Sequence, residues 1–326
     1  MNRSHAHRFF TLPLCVGLSA AVAHAVVVGP GTGSQNTTQG TMPDGWKYTG
    51  TIRSGSAVYL GNGWGITARH LGTVVVGNPF VIPSGTFVVD QPSVRLNNGG
   101  STGIDLQLFH LSAAPPLSAL TISAAAPDAA TPIFVVGVGR TPRDTNPTYW
   151  DITGSGTGTT WTPTADSSAA DAGGFLHGTA RVKRWGTNLT RTSPDSNALT
   201  EDVDAGFGPT NVFFTDFYAD KDDFINGGGT ASEMQLSSGD SGGGVFDANN
   251  NLLGIPLYTS GFTNQPANSV VFGSFSYFGN LAQYRDQINA IVPEPTTLGA
   301  PFVASSFVSM FYRGRKKPIV DCMTRD

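Results

Sequence analysis

The chain has almost no cysteine: Cys15 lies near its start and Cys322 near its end, and there is none between them. No disulfide framework can staple the body. A chain of 326 residues can bury enough apolar surface to fold without one. Histidine is scarce too. Of six, His5, His7 and His24 precede residue 26, so only His70, His110 and His177 remain in the body as candidate bases. Charged residues make up 13% of the chain and the net charge is −4. Arg3, Arg8, Arg313, Arg315, Lys316, Lys317 and Arg325 sit near the two ends, so the body is more acidic than the whole. That composition excludes the basic footprint of a nucleic-acid-binding protein. Asp216, Asp220, Asp222 and Asp223 form an acidic patch, but their spacing fits no EF-hand loop and reads as a solvated segment. No metal and no cofactor is expected.

What the chain does have is glycine and turns. Short apolar runs at Tyr48–Ile52, Ala57–Leu60, Val74–Val76, Phe87–Val89 and Ile133–Val138 alternate with turn signals and predict an all-β protein. One helix is predicted over Asn280–Ile291, where Leu281, Tyr284, Ile288 and Ile291 keep helical spacing and Pro293 ends the run. Between Arg140 and Glu233 the pattern weakens. Residues 165–174 and 192–197 read there as surface insertions.

Gly239-Asp240-Ser241-Gly242-Gly243 is the most specific feature. A serine among glycines can be approached closely by a substrate, as an activated hydroxyl nucleophile requires. The same residues also fit a plain turn, so a base and an orienting carboxylate must be sought elsewhere. His70 closes the apolar run Trp64–Leu71, a rigid edge suited to a general base. Asp105 heads the run Asp105–Leu111, where a carboxylate can be desolvated yet hydrogen-bonded. Asp90 is the fallback orienter.

Taken together, the order His70, Asp105, Ser241 is that of the chymotrypsin-type proteases. Thr67-Ala68-Arg69-His70, Asp105-Leu106-Gln107-Leu108 and Gly239–Gly243 resemble the three motifs of the trypsin-like serine proteases over roughly residues 46–292. The resemblance implies two six-stranded antiparallel β-barrels, chymotrypsin-like, with a short C-terminal helix. It implies Ser241 as nucleophile, His70 as base and Asp105 as orienter. The Gly239 and Ser241 amides would form the oxyanion hole, with a polypeptide as substrate. By the same resemblance Asp240 is the activation-pocket carboxylate, paired with a freed N-terminal amine. Gln235 would sit at the floor of the specificity pocket, with Leu257, Tyr258 and Thr259 on the strand that pairs with substrate. Departures are the missing disulfides, Arg69 before the base, Pro256, and Leu257 where a serine is expected. A neutral Gln235 argues against a strong preference for Lys or Arg, because a buried cation would lack a partner.

Both ends read as targeting segments. Residues 1–25 have basic residues, an apolar stretch and Ala23-His24-Ala25, the pattern of a secretory signal. Cleavage there would expose Val26-Val27-Val28-Gly29, leaving either an amine that pairs with Asp240 or a flexible Gly-rich start over residues 29–40. Residues 293–317 combine Pro293-Glu294-Pro295, an apolar stretch and Arg313–Lys317. They resemble the PEP-CTERM sorting signal of Gram-negative bacteria. Residues 318–326 are a short tail. That resemblance implies an exosortase-type sorting machinery as partner, a transient inner-membrane association, and a final place at the cell surface, extracellular matrix or outer envelope. Residues 26–292 form the protease-like domain. An inactive protease-like binding module and an esterase with the same triad are the competing readings, and the oligomeric state is left open.

Overall fold

A computed structural model describes residues 26–29, 35–142 and 144–292 of the chain. Residues 1–25 and 293–326, with both expected targeting segments and both cysteines, lie outside the described residues. The chain divides into two units, Met1–Glu294 and Pro295–Asp326, and the description concerns the first.

Strand β1 (Val27–Gly29) and a one-turn helix α1 (Gly45–Tyr48) precede the first sheet. That sheet contains β2 (Thr49–Ile52), β3 (Gly55–Gly61), β4 (Trp64–Ala68), β5 (Pro79–Ile82), β6 (Gly85–Val88), β7 (Val94–Asn97) and β8 (Gly103–His110). Its order is β6-β5-β2-β3-β4-β8-β7. Val89 bridges Leu111, and the Ser112 amide donates to the Val88 carbonyl oxygen. These contacts join the end of β6 to the end of β8, so six strands close on themselves and β7 lies outside the ring.

The second sheet follows with β9 (Pro132–Pro142), β10 (Thr148–Thr153), β11 (Thr160–Thr164), β12 (Ala172–Arg191), β13 (Glu201–Val203) and β14 (Thr210–Asp216). It continues with β15 (Glu233–Gln235), β16 (Gly244–Phe246), β17 (Leu252–Thr259), β18 (Ser269–Val271) and β19 (Phe275–Asn280). Its path runs β12-β9-β16-β17-β19-β14, and Thr190 and Arg191 of β12 pair back with Thr215 and Phe214 of β14. This too is a closed antiparallel ring of six, and closure removes the exposed edges of an open sheet. The expected pair of six-stranded barrels is therefore present. Short α2 (Lys221–Ile225) and the terminal α3 (Leu281–Ile291) complete the described residues. The Asn280 side chain caps α3 by accepting from the Ala282 amide at 3.2 Å. Leu281, Tyr284 and Ile288 are its buried face.

Three details differ from expectation. Val74–Val76 is a loop, because Gln107 and Arg53 side chains take up its neighbouring backbone groups while Val75 and Val76 face solvent. Residues 172–174 of the expected surface insertion belong to β12, and Gly173 and Gly174 are buried. The weakly patterned stretch after Arg140 folds as β10 and β11, a side sheet on β12 with β18. Gly-rich turns inside that stretch hid a 20-residue strand.

The body begins with a strand, β1. β1 pairs with β15, Val28 opposite Met234. Val26 and Val28 enter the core of the second barrel with Ile133, Val135 and Phe213. Val27 points the other way, into an aromatic cluster of Phe175, Phe217, Tyr218 and Phe272. This alternation is the period of two expected of a strand buried on both faces. Residues 35–40 are bends and turns, and residues 30–34 lie outside the described residues.

Candidate active site

The first barrel brings His70 and Asp105 together, at the end of β4 and on the neighbouring β8. β4 ends at Ala68, and a single 3-10 turn over Arg69–Leu71 carries His70. Gln107 clamps this turn from β8. Its Nε2 donates to the Ala68 and Gly72 carbonyls, and its Oε1 accepts from the Val74 amide. Arg53 holds the other side through Leu71. Two residues earlier on β8, Asp105 is 1% exposed. Its Oδ1 accepts from the His70 amide at 2.7 Å and its Oδ2 lies 2.6 Å from His70 Nδ1. The carboxylate thus fixes both the backbone and the ring of His70, leaving Nε2 as the nitrogen free to take a proton. Nε2 is buried and has no hydrogen-bond partner among the described residues. Phe207 lies against the ring, centroids 5.8 Å apart. The fallback Asp90 is engaged elsewhere, 2.7 Å from His110 Nδ1.

Ser241 arrives from the second barrel, in the loop between β15 and β16. Its carbonyl oxygen accepts from the Ser56 amide of β3 at 2.9 Å. Ser56 Oγ donates to the Gly239 carbonyl oxygen at 2.6 Å and accepts from the Val138 amide. A Cβ on Gly55 would touch both Leu71 and the Ser241 carbonyl oxygen, which sets the nucleophile loop against the His70 turn. Gly242 has φ +86° and a Cβ there would stand 2.0 Å from the Ser56 carbonyl oxygen, so the loop passes the first barrel only with glycine at this position.

The Ser241 hydroxyl donates to the Leu257 carbonyl oxygen of β17 at 3.2 Å. It therefore faces β17 in this structure, while His70 Nε2 stands unpartnered. Neither the Gly239 nor the Ser241 amide is bonded to another backbone group among the described residues, which leaves both donors for an oxyanion.

Asp240 lies behind the nucleophile, fully buried. Its Oδ2 accepts from the Ser237 amide at 2.9 Å, and its Oδ1 has no hydrogen-bond partner among the described residues. Burial raises its pKa well above the usual carboxylate range, countered by the Val26 backbone amide and by the charges of Arg181 and Arg184. Arg184 is 3% exposed, and its Nε and Nη1 are likewise without partners. A Cβ on Gly137 would collide with Asp240 Oδ1, so glycine opposite Arg184 makes room for this carboxylate.

The expected specificity residues divide. Gln235 is 1% exposed and spends its amide on the Phe275 carbonyl and the Ser276 hydroxyl, which ties β15 to β19. Leu257 buries its side chain and offers only backbone; it is the extra residue of a bulge against β19. Tyr258 packs on Tyr277 and Thr259 is exposed. Among the described residues β16 pairs with β17 only at Leu252 and Gly254; the Pro256 and Leu257 carbonyls accept from the Gly242 amide and the Ser241 hydroxyl, which leaves the backbone edge free only at Tyr258 and Thr259.

Ser56, Gln107 and Thr210, whose hydroxyl accepts from the Asp105 amide at 2.9 Å, were not anticipated. The available signal was a polar residue inside an apolar strand run. Among the described residues there is no group of three or more metal-ligating side chains.

No protein-family model matches the chain, and no curated protein matches its sequence. Solved structures do resemble it. A mutant of human heparin binding protein is 12% identical, with TM-score 0.47, over 81% of this chain and 96% of that one. Neuropsin, a serine protease of mouse brain, is 12% identical with TM-score 0.45, over 80% and 98% of the two chains. The active form of the Rv3671c protease of M. tuberculosis is 12% identical with TM-score 0.40, over 80% and 87%. These are likenesses at low identity, and the arrangement of His70, Asp105 and Ser241 stands on its own geometry.

Proposed function

We propose that this chain is a serine-type endopeptidase acting through an acyl-enzyme. The observation that carries the reading is the His70–Asp105 pair, two hydrogen bonds deep, with an unpartnered Nε2 on a turn that lies across Gly55 from the Ser241 loop. Rotation of the Ser241 side chain away from Leu257 would give its hydroxyl to Nε2 and satisfy the orphan nitrogen. His70 then takes the proton as Ser241 Oγ bonds to the substrate carbonyl carbon, and returns it to the leaving amine. The Gly239 and Ser241 amides receive the developing oxyanion, each donor contributing about 3 kcal/mol to lowering the barrier. Water then repeats the attack on the acyl-enzyme, with His70 again as base. Substrate would add as a strand on the free edge at Tyr258 and Thr259, a main-chain recognition that favours a polypeptide over a simple ester.

Removal of residues 1–25 would place a new α-amine at Val26, next to the Asp240 carboxylate. We take this pairing as the step that completes the oxyanion loop, and export with surface sorting as the setting in which it happens. Labelling by a serine-reactive phosphonate tests the enzyme reading. The mature wild-type protein should label and Ser241→Ala should not. Equal labelling of both, or none of either, would favour an inactive binding module. Peptide-library cleavage then separates a protease from an esterase.

A further inference from the structure

Gly239, one of the two oxyanion donors, has an arginine where a side chain would otherwise be. A Cβ there would stand 2.7 and 2.8 Å from Nη2 and Nε of Arg181. Both of these nitrogens donate to the Val138 carbonyl oxygen, at 2.7 and 3.1 Å, which holds the guanidinium plane over the glycine. Nη1 makes no hydrogen bond among the described residues. Arg181 is exposed and sits at a β-bulge of β12 directly opposite Arg140 of β9. Arg140 is anchored at the same loop, its amide donating to the Ser238 carbonyl and its carbonyl accepting from Ser237 Oγ. Its Nη1 reaches Asn268 Oδ1 at 3.1 Å. Neither guanidinium forms an ion pair among the described residues. The nearest acid that acts on Arg181 is Asp240, which is wholly buried. Two cations in register thus flank the oxyanion donors with their charge unmatched, although the body as a whole is acidic.

The position of this pair gives it a role. The Ser241 loop lies between two walls. One is β17, whose Pro256 and Leu257 carbonyls accept from the Gly242 amide and the Ser241 hydroxyl. The other is β9 with β12, which presents Val138, Arg140 and Arg181 to Gly239. A substrate whose acyl part lies along β17 must carry its amine part past Ser241, toward the second wall. We propose that Arg140 and Arg181 form a subsite for an acidic side chain on the leaving-group side of the scissile bond. This selects polypeptides with Asp or Glu shortly after the cleaved residue. The inference rests on the endopeptidase reading. The guanidinium fork suits a carboxylate, and its held plane reduces the ordering cost of the contact.

The experiment uses the full-length, processed protein and three matched fluorogenic peptides. They share a sequence that the enzyme cleaves and carry Glu, Gln or Lys at the two positions after the scissile bond. Wild type should prefer Glu to Lys by about tenfold in kcat/KM at low salt, with the preference shrinking as salt rises. In Arg181→Gln the ratio should fall toward one, and Arg181→Lys should retain part of it. The ratio is taken within one preparation, so a loss of folded enzyme cancels from it. A Glu/Lys ratio near one in wild type, or one unchanged in the Arg140→Gln, Arg181→Gln double variant, overturns the subsite. In that case cleavage of the Gln peptide shows that the endopeptidase reading survives. Absence of all cleavage together with absence of Ser241 labelling overturns both.

Discussion

Asp105 carries a heavy local demand. It is buried, and its two oxygens serve one partner, His70, through the amide and the ring. Asp105→Asn keeps the size but turns an acceptor into a donor at Nδ1, so the ring would be held in the wrong tautomer. Under the proposed mechanism kcat should fall by about three to four orders of magnitude while the fold persists. A pre-steady-state measurement alongside circular dichroism checks this, and an effect below tenfold would move the orienter elsewhere. The pairing of His70 with Asp105 was legible, because the chemistry sought for Ser241 demands particular residue types in a particular order. The residues that hold them were not. Ser56 and Gln107 are ordinary polar residues whose work is defined only by what lies across the fold from them. Likewise nothing in the sequence says that Asp90 faces His110.

Strand β15 shows how an element binds the start of the body to the site. Its Glu233 lies between Gly29 of β1 and Thr187 of β12. The Glu233 carboxylate accepts from the Thr230 amide and hydroxyl, both at 2.8 Å. Burial pushes its pKa up from 4.5 to about 7, against those hydrogen bonds. The folded state therefore holds this proton more tightly than the unfolded chain. Its contribution to stability is complete below about 4.5 and is lost as pH rises through about 7. Glu233→Gln, which keeps an oxygen for Thr230, should gain in melting temperature over wild type as pH climbs across that window. A gap that does not vary with pH would place the titration elsewhere. At this scale α3 was readable to within a residue, because its apolar spacing and its Asn280 cap are local. The run Val74–Val76 misled because its apolar pattern is that of a strand, while its backbone bonds are supplied by side chains distant in sequence.

Across the whole molecule, two closed barrels meet at a site to which each contributes residues that do nothing alone. Closure was legible only through the resemblance of the three motifs, because no local pattern carries it. It depends on pairings such as Thr190 with Thr215, between strands far apart along the chain. One feature at this scale reverses an ordinary expectation. Cutting a chain usually loosens it. Here the fold contains a buried carboxylate with an unpartnered oxygen, and the residue at the expected cut, Val26, is wholly buried beside it. An amine created there would bring a positive charge to the carboxylate that the Val26 amide of the uncut chain meets only as a neutral donor. The protein should thus become harder to melt once shortened, so that maturation runs thermodynamically downhill as well as being irreversible. A scanning comparison of the chain beginning at Val26 with one extended by two residues tests this. The shortened form should melt higher. Its advantage should be complete below the ordinary amine pKa of about 8, then fade as pH rises through the higher value that pairing imposes. Equal melting temperatures at neutral pH would mean that the buried acid is neutral in both forms. By this account the molecule is assembled in its stiffest state only after its leader has gone, which ties the onset of activity to the gain in rigidity.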